Sequence, residues 1–275
     1  MSRRALRCGV IGVGRMGRHH ARLYAQHEDV EFIGVIDHDA ERAQDMVEQW
    51  GGRVLQSPEE LVDAGVDAVT IATPTMHHRE TAEFLLHHKV ACLIEKPLAP
   101  DGEQAQAIVD AATASGAVIQ VGHIVRYDPV MLAIQQLPPI SPRFIEVDRI
   151  SPMTFRSVDV GVVLDMMIHD LDVLLMLVGR EPEQIQASAV SVLGEAEDVC
   201  NARLTFPPDS AGDQCVANVT ASRLALKTER KLRIIAEDAY ISADFVNRTG
   251  TVVRKTANES HLVDLRERLR AGEDL

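Results

Sequence analysis

At 275 residues, 46% of them hydrophobic, the chain can bury a sizeable core, and two domains are expected. Its formal net charge of −13 argues against nucleic acid or an anionic membrane as the main partner, because both reward a basic face. No apolar run reaches membrane-spanning length, and Met1-Ser2-Arg3-Arg4-Ala5 lacks the long apolar core of a signal peptide.

The first part alternates strands and helices. Leu6 to Ile11 reads as a buried strand, Arg15 to Gln26 as a helix, Val30 to Ile36 as a second strand, and Ala40 to Trp50 as a second helix. Ala68 to Ala72 and Val90 to Ile94 are short apolar strands with helical stretches before each, followed by a helix over Glu103 to Ser115 and a strand over Val118 to Val121. This alternation predicts parallel βαβ units, hence an α/β Rossmann-type, doubly wound sheet over residues 1–122. The scattered cysteines (Cys8, Cys92, Cys200, Cys215) have no Cys-x-x-Cys spacing, and Cys8 and Cys92 fall in core strands. A reduced, cytoplasmic protein without structural zinc or disulfides is expected.

After Gly122 the pattern changes. A proline-rich stretch leads into the alternating strand Arg143 to Ile150, then one apolar helix runs from Val163 to Val178 and closes on Gly179. Strand-like runs follow at Ile185 to Leu193, Val199 to Phe206, Cys215 to Ser222, Lys231 to Ala236, Ala239 to Phe245 and Thr251 to Lys255. Strands without intervening helices predict a mostly antiparallel open sheet, so residues 123–275 form an α+β domain. The open face of such a sheet needs a cover, and a homo-oligomer is expected.

Gly12-Val13-Gly14-Arg15-Met16-Gly17 lies between the first strand and its helix, the setting in which glycine turns cradle a dinucleotide pyrophosphate. Asp37 ends the second strand at the expected interval of about 20 residues, where its carboxylate would accept the adenosine ribose hydroxyls. Its alternative role is a helix N-cap. His38 and Asp39 follow, with no arginine for a 2′-phosphate, so NAD is expected rather than NADP. Thr73-Pro74 closes the third major strand on the same sheet edge, where Thr73 either touches the cofactor or serves the turn.

Glu95-Lys96-Pro97 follows the apolar run Val90 to Ile94, placing Lys96 at a strand end near the expected cofactor. On the apolar helix, Asp165, His169 and Asp172 are spaced i, i+4, i+7 and share one face, which turns to solvent or to a wet cavity. A metal on Asp165 and His169 would need further ligands, of which His123 is the one distant candidate, so no metal is expected. His19, His20, His87 and His88 are read as solvated or packed.

With these residues in order, the chain resembles the Gfo/Idh/MocA oxidoreductases, the glucose–fructose oxidoreductase and inositol dehydrogenase family. The matching elements are Gly9-Val10-Ile11-Gly12-Val13-Gly14-Arg15-Met16-Gly17, Ala72-Thr73-Pro74 with His78 beyond, Glu95-Lys96-Pro97, Arg126-Tyr127-Asp128-Pro129 and Asp165-x-x-x-His169-x-x-Asp172. The resemblance implies a catalytic set of Lys96, Asp165 and His169. It implies cofactor contacts from Gly12, Gly14, Arg15, Met16, Gly17, Asp37, Thr73, Pro74, His78, Glu95 and Lys96, and substrate contacts from His123, Arg126, Asp165 and His169. An imidazole, which ordinarily titrates near about 6.5, suits His169 as base, while Lys96 would bind the alcohol oxygen and Asp165 would orient imidazole or hydroxyl.

The implied activity is hydride transfer from a secondary hydroxyl of a sugar-like substrate to NAD. Within the family, His123, Arg126 and the strand end Ser222-Arg223 look most like members acting on nucleotide sugars such as UDP-N-acetylglucosamine. A cyclitol or free-sugar dehydrogenase and an NAD-binding redox sensor without turnover are the alternatives. Two departures from the family stand out. Asp159-Val160-Gly161-Val162 keeps one of several glycines usual before the catalytic helix, and the end at Leu275 leads one to expect a shortened C-terminus.

Overall fold

Short apolar runs, each followed by a turn and a helix-forming stretch, build the first part of the chain. The structure, a computed structural model, describes residues 4–153 and 160–255 with residues 267, 268, 270 and 271. It divides into two compact units, Met1–His123 and Ile124–Leu275. The first contains β1 (Leu6–Ile11), α1 (Gly17–Gln26), β2 (Val30–Ile36), α2 (Ala40–Trp50), β3 (Arg53–Val54), α3 (Pro58–Asp63), β4 (Ala68–Ile71), α4 (His78–His87), β5 (Ala91–Ile94), α5 (Gly102–Ser115) and β6 (Ile119–Val121). All neighbouring strands are parallel, in the order β3-β2-β1-β4-β5-β6.

That order reverses direction at β1, which has β2 on one side and β4 on the other. Ligands of open parallel sheets bind beyond the strand carboxyl ends at this switch point. The sheet is buried through Val69, Ile71, Cys92 and Ile94 against Leu85 and Leu86 of α4 and Ile108 of α5, while Val10 clusters with Ala21 of α1 and Ala43 of α2. α1 starts at Gly17 rather than Arg15, because Val13 to Met16 belong to the glycine turn, and the His19 N–H bonds back to the Met16 carbonyl at 2.9 Å.

The second unit contains α6 (Pro129–Gln135), β7 (Pro142–Ile150), α7 (Ile168–Val178), β8 (Gln184–Val190), β9 (Val199–Thr205), β10 (Val216–Ser222), β11 (Glu229–Ala236), β12 (Ala239–Asp244) and β13 (Thr249–Arg254). Its seven strands run β13-β12-β11-β7-β10-β9-β8, antiparallel except for β7 beside β10. Alternate residues of the central strands (Ile145, Val147, Val219, Leu232, Ile234) join Met131 of α6 and Leu174 of α7 in one core. β8 stops at Val190, short of the expected Leu193, because the Val192 and Leu193 N–H groups turn to donate to Asp198 Oδ2 at 2.7 and 2.8 Å.

The single helix expected from Val163 to Val178 differs at its start. Val163–Met167 forms a π-helical turn before α7, and Gly179 closes α7 at φ 68°. Single π turns of this kind concentrate at functional sites. Among the described residues no helix is long and apolar enough to cross a membrane.

Candidate active site

The glycine turn is built by close approach. A Cβ on Gly12 (φ 84°) would lie 2.8 Å from the Ala72 backbone, and one on Gly17 would meet the Gly12 carbonyl oxygen at 1.7 Å, so β1, α1 and the end of β4 pack with no room to spare. Gly14, by contrast, faces open space, with no heavy atom within 4 Å of an added Cβ. Asp37 is almost wholly buried. Its Oδ2 accepts the Val13 N–H at 2.7 Å and its Oδ1 the Asp39 N–H at 2.9 Å, joining the end of β2 to the glycine turn. Asp37 is not the cap of α2. Asp39 has that role, accepting the Arg42 N–H at 3.0 Å.

One expectation is corrected here. An arginine does stand beside Asp37: Arg42 Nη1 lies 3.3 Å from Asp37 Oδ1, and its Nη2 lies 3.0 Å from Asp39 Oδ2. It was missed because one helical turn, not sequence adjacency, brings it there.

Beyond β4, the Thr73 hydroxyl oxygen is buried and makes no hydrogen bond among the described residues. A buried hydroxyl without a partner is costly unless a ligand supplies one. The open face at Gly14, the Asp37 carboxylate and this hydroxyl lie at or just beyond the carboxyl ends of β1, β2 and β4, and they fit a dinucleotide. Nearby, His78 is 1% exposed, and both ring nitrogens face backbone carbonyls: Nε2 that of Thr73 at 2.9 Å, Nδ1 those of Pro97 and Leu98 at 3.1 and 3.2 Å. His78 therefore staples together the segments that follow β4 and β5.

Lys96 follows β5, is half-buried, and is joined to Pro97 by a cis peptide bond. Glu95 beneath it is 7% exposed. Its Oε1 lies 2.9 Å from His20 Nε2, and its Oε2 accepts the Lys96 N–H at 3.3 Å. Burial opposes ionisation of this carboxyl, but the His20 bond and the Lys96 N–H and charge outweigh it and hold its pKa below the ordinary value. His20, read from the sequence as solvated or packed, is packed, with its ring against Glu95. The signal available was Glu95 itself, an acid at the end of a buried strand that had to find a partner.

In the second unit, Asp165 and His169 are half-buried, Asp165 on the π turn and His169 on the first turn of α7. Asp172, expected on the same face, is instead buried and gripped by Arg126, with Nε and Nη2 at 2.7 and 2.6 Å from its two oxygens. The Arg126 fork, expected at the substrate, holds Asp172 on the helix. Asp170 makes a second such pair with buried Arg149, both bonds at 2.7 Å. Arg223, set beside Ser222 as a mark of nucleotide-sugar recognition, is 5% exposed and structural, bonding Asp198 Oδ1 at 2.7 Å, the Val160 carbonyl at 2.8 Å and the Glu197 carbonyl at 3.1 Å.

Glu197 also accepts the Val163 N–H at 3.1 Å, and a Cβ on Gly161 would lie 2.0 Å from its Oε1. The one glycine retained before the helix is the one that this contact requires. Asp159 of the same stretch lies outside the described residues, as do residues 266, 269 and 272–275 at the C-terminus. His123, half-buried, ends the first unit. Beyond Arg223, Lys227 and Lys231 lie against Glu229 and Arg233 against Glu146. Among the described residues no group of three or more His, Cys, Asp or Glu is placed to hold a metal ion.

A family model described as an oxidoreductase family with an NAD-binding Rossmann fold matches residues 6–123, and the GFO/IDH/MocA C-terminal domain matches residues 147–242. The chain belongs to the Gfo/Idh/MocA oxidoreductase family. It is 38% identical over 271 residues to UDP-N-acetylglucosamine 3-dehydrogenase of Acidithiobacillus ferrooxidans, covering 96% of this chain and 84% of that protein. A solved structure of that dehydrogenase superposes with a TM-score of 0.84 over 92% of this chain and 79% of that one. Inositol 2-dehydrogenase of Rhizobium meliloti is 28% identical over 252 residues, 87% of this chain and 76% of that protein. The family member described here is an NAD-dependent oxidoreductase with a Rossmann domain and a mostly antiparallel second domain.

Proposed function

We propose that the chain oxidises a secondary hydroxyl of a nucleotide sugar of the UDP-N-acetylglucosamine kind, with Lys96, Asp165 and His169 as its catalytic residues. The observation that carries the substrate is the 38% identity to the UDP-N-acetylglucosamine 3-dehydrogenase over 96% of the chain. NAD, when bound, supplies the nicotinamide that accepts hydride from the carbinol carbon. Gly12, Gly14, Arg15, Met16 and Gly17 hold its pyrophosphate with backbone N–H groups and the α1 N-terminus, Asp37 its ribose, and Thr73 and Pro74 its nicotinamide half.

Loss of hydride leaves a carbonyl only if the hydroxyl proton departs too. His169 takes that proton on a ring nitrogen, and Asp165 orients the imidazole. The Lys96 ammonium donates to the same oxygen and stabilises the negative charge that develops there. His123 contacts the substrate, and Arg126 acts there by fixing α7 through Asp172.

A cyclitol is the second reading, supported by the identity to inositol 2-dehydrogenase. Absorbance at 340 nm, with NAD and in turn UDP-N-acetylglucosamine, free N-acetylglucosamine and myo-inositol, separates the two. UDP-N-acetylglucosamine is expected to give the highest kcat/KM. His169→Ala is expected to lower kcat by about 10²- to 10⁴-fold, and full activity in that variant rules His169 out as the base. The protein is further proposed to work in the cytoplasm, where its free, buried cysteines stay reduced, and to self-associate through the outer face of its open sheet.

A further inference from the structure

Glu95 is a carboxylate in a place that disfavours one. It is 7% exposed and ends a buried strand, so it must be compensated by neighbours. One neighbour is the backbone N–H of Lys96, at 3.3 Å from Oε2. Another is His20 Nε2, at 2.9 Å from Oε1. A carboxylate only accepts, so this ring nitrogen carries the hydrogen. The space around the carboxylate is also shaped for it. Gly122, just past β6, lacks the Cβ that would come within 3.0 Å of Glu95 Oε2.

His20 lies one turn into α1, the helix whose start carries the glycine turn. Its bond to Glu95 therefore ties the cofactor-binding helix to the residue beneath Lys96. On the other side of the same turn, the Pro97 and Leu98 carbonyls are held by His78 from α4. The Lys96 turn is braced from both flanks, and the His20 brace reaches it through a charged group.

We propose that His20 is a positioning residue for Lys96, acting through Glu95 to fix the lysine in register with the cofactor-binding helix. The proposal rests on the reading of Lys96 as the residue that binds the reacting oxygen. Misplacing such a group by about 1 Å costs about 10²-fold in rate.

A double-mutant cycle of His20→Ala and Lys96→Ala tests it, with kcat and KM for UDP-N-acetylglucosamine and NAD affinity by calorimetry. His20→Ala is expected to lower kcat by about 10- to 100-fold with NAD affinity retained. His20→Gln, whose amide N–H still reaches the carboxylate, is expected to restore most of the loss. In the Lys96→Ala background, removal of His20 is expected to change kcat by no more than about twofold, because residues acting as a unit are not additive. Losses that multiply, or a His20→Ala defect confined to NAD affinity, overturn the proposal. A Lys96→Ala variant that keeps wild-type kcat overturns instead the reading of Lys96 beneath it.

A readout independent of turnover is the rate at which formaldehyde and cyanoborohydride methylate Lys96, followed by peptide mass spectrometry. That rate is expected to change in His20→Ala and to return in His20→Gln. An unchanged rate contradicts the brace.

Discussion

Asp37 and Arg42 share the end of β2. The carboxylate has about four acceptor sites, and three are used by the Val13 and Asp39 N–H groups and Arg42 Nη1, so it keeps capacity for a ribose hydroxyl. Its charge repels a 2′-phosphate, while Arg42, 43% exposed, is drawn toward Asp37 and Asp39. Removing the charge should turn the arginine outward to a phosphate. Asp37→Ser is expected to raise the NADP to NAD ratio of kcat/KM by at least about tenfold, the worth of about 1.4 kcal/mol, and Arg42→Ala in that background to abolish the gain. Parallel measurements with both cofactors check this. Asp37 could be found in the sequence because strand, glycine turn, helix and strand fix its interval from Gly12. Arg42 and His20 could not, because their partners are set by helical rotation and by a contact 75 residues away.

α7 and the turn before it present Asp165 and His169. Apolar composition and Gly179 made the helix and its end legible, but not its first turn. That turn is decided by Glu197, which takes the Val163 N–H from 34 residues downstream and needs Gly161 bare. The helix and the turn before it carry Asp165, His169, Asp170 and Asp172. Asp172 and Asp170 are anchored by arginines from outside it, while Asp165 and His169 remain half-buried. Asp170→Asn leaves Arg149 buried without a counter-charge and should destabilise the chain by about 3–5 kcal/mol, read from urea unfolding. A loss within error of zero contradicts the view that this pair anchors α7 to β7.

The whole molecule joins a nucleotide-binding unit carrying Lys96 to an open-sheet unit carrying Asp165 and His169. The sheet order of the first unit followed from alternating strands and helices, because parallel strands need crossovers. The parallel pair β7 and β10 inside an otherwise antiparallel sheet was not legible, since nothing local in either strand names its neighbour. All of β8 and apolar Ile185, Val252 and Val253 are exposed on this chain alone. Light scattering is expected to give a mass that is a multiple of 30.2 kDa, and a single-chain mass contradicts cover by self-association. Hydride transfer from a nucleotide sugar to NAD is followed as absorbance at 340 nm on mixing the chain with NAD and UDP-N-acetylglucosamine. A steady rise that is lost in His169→Ala is the result predicted; a flat trace from protein that binds NAD and UDP-N-acetylglucosamine contradicts it.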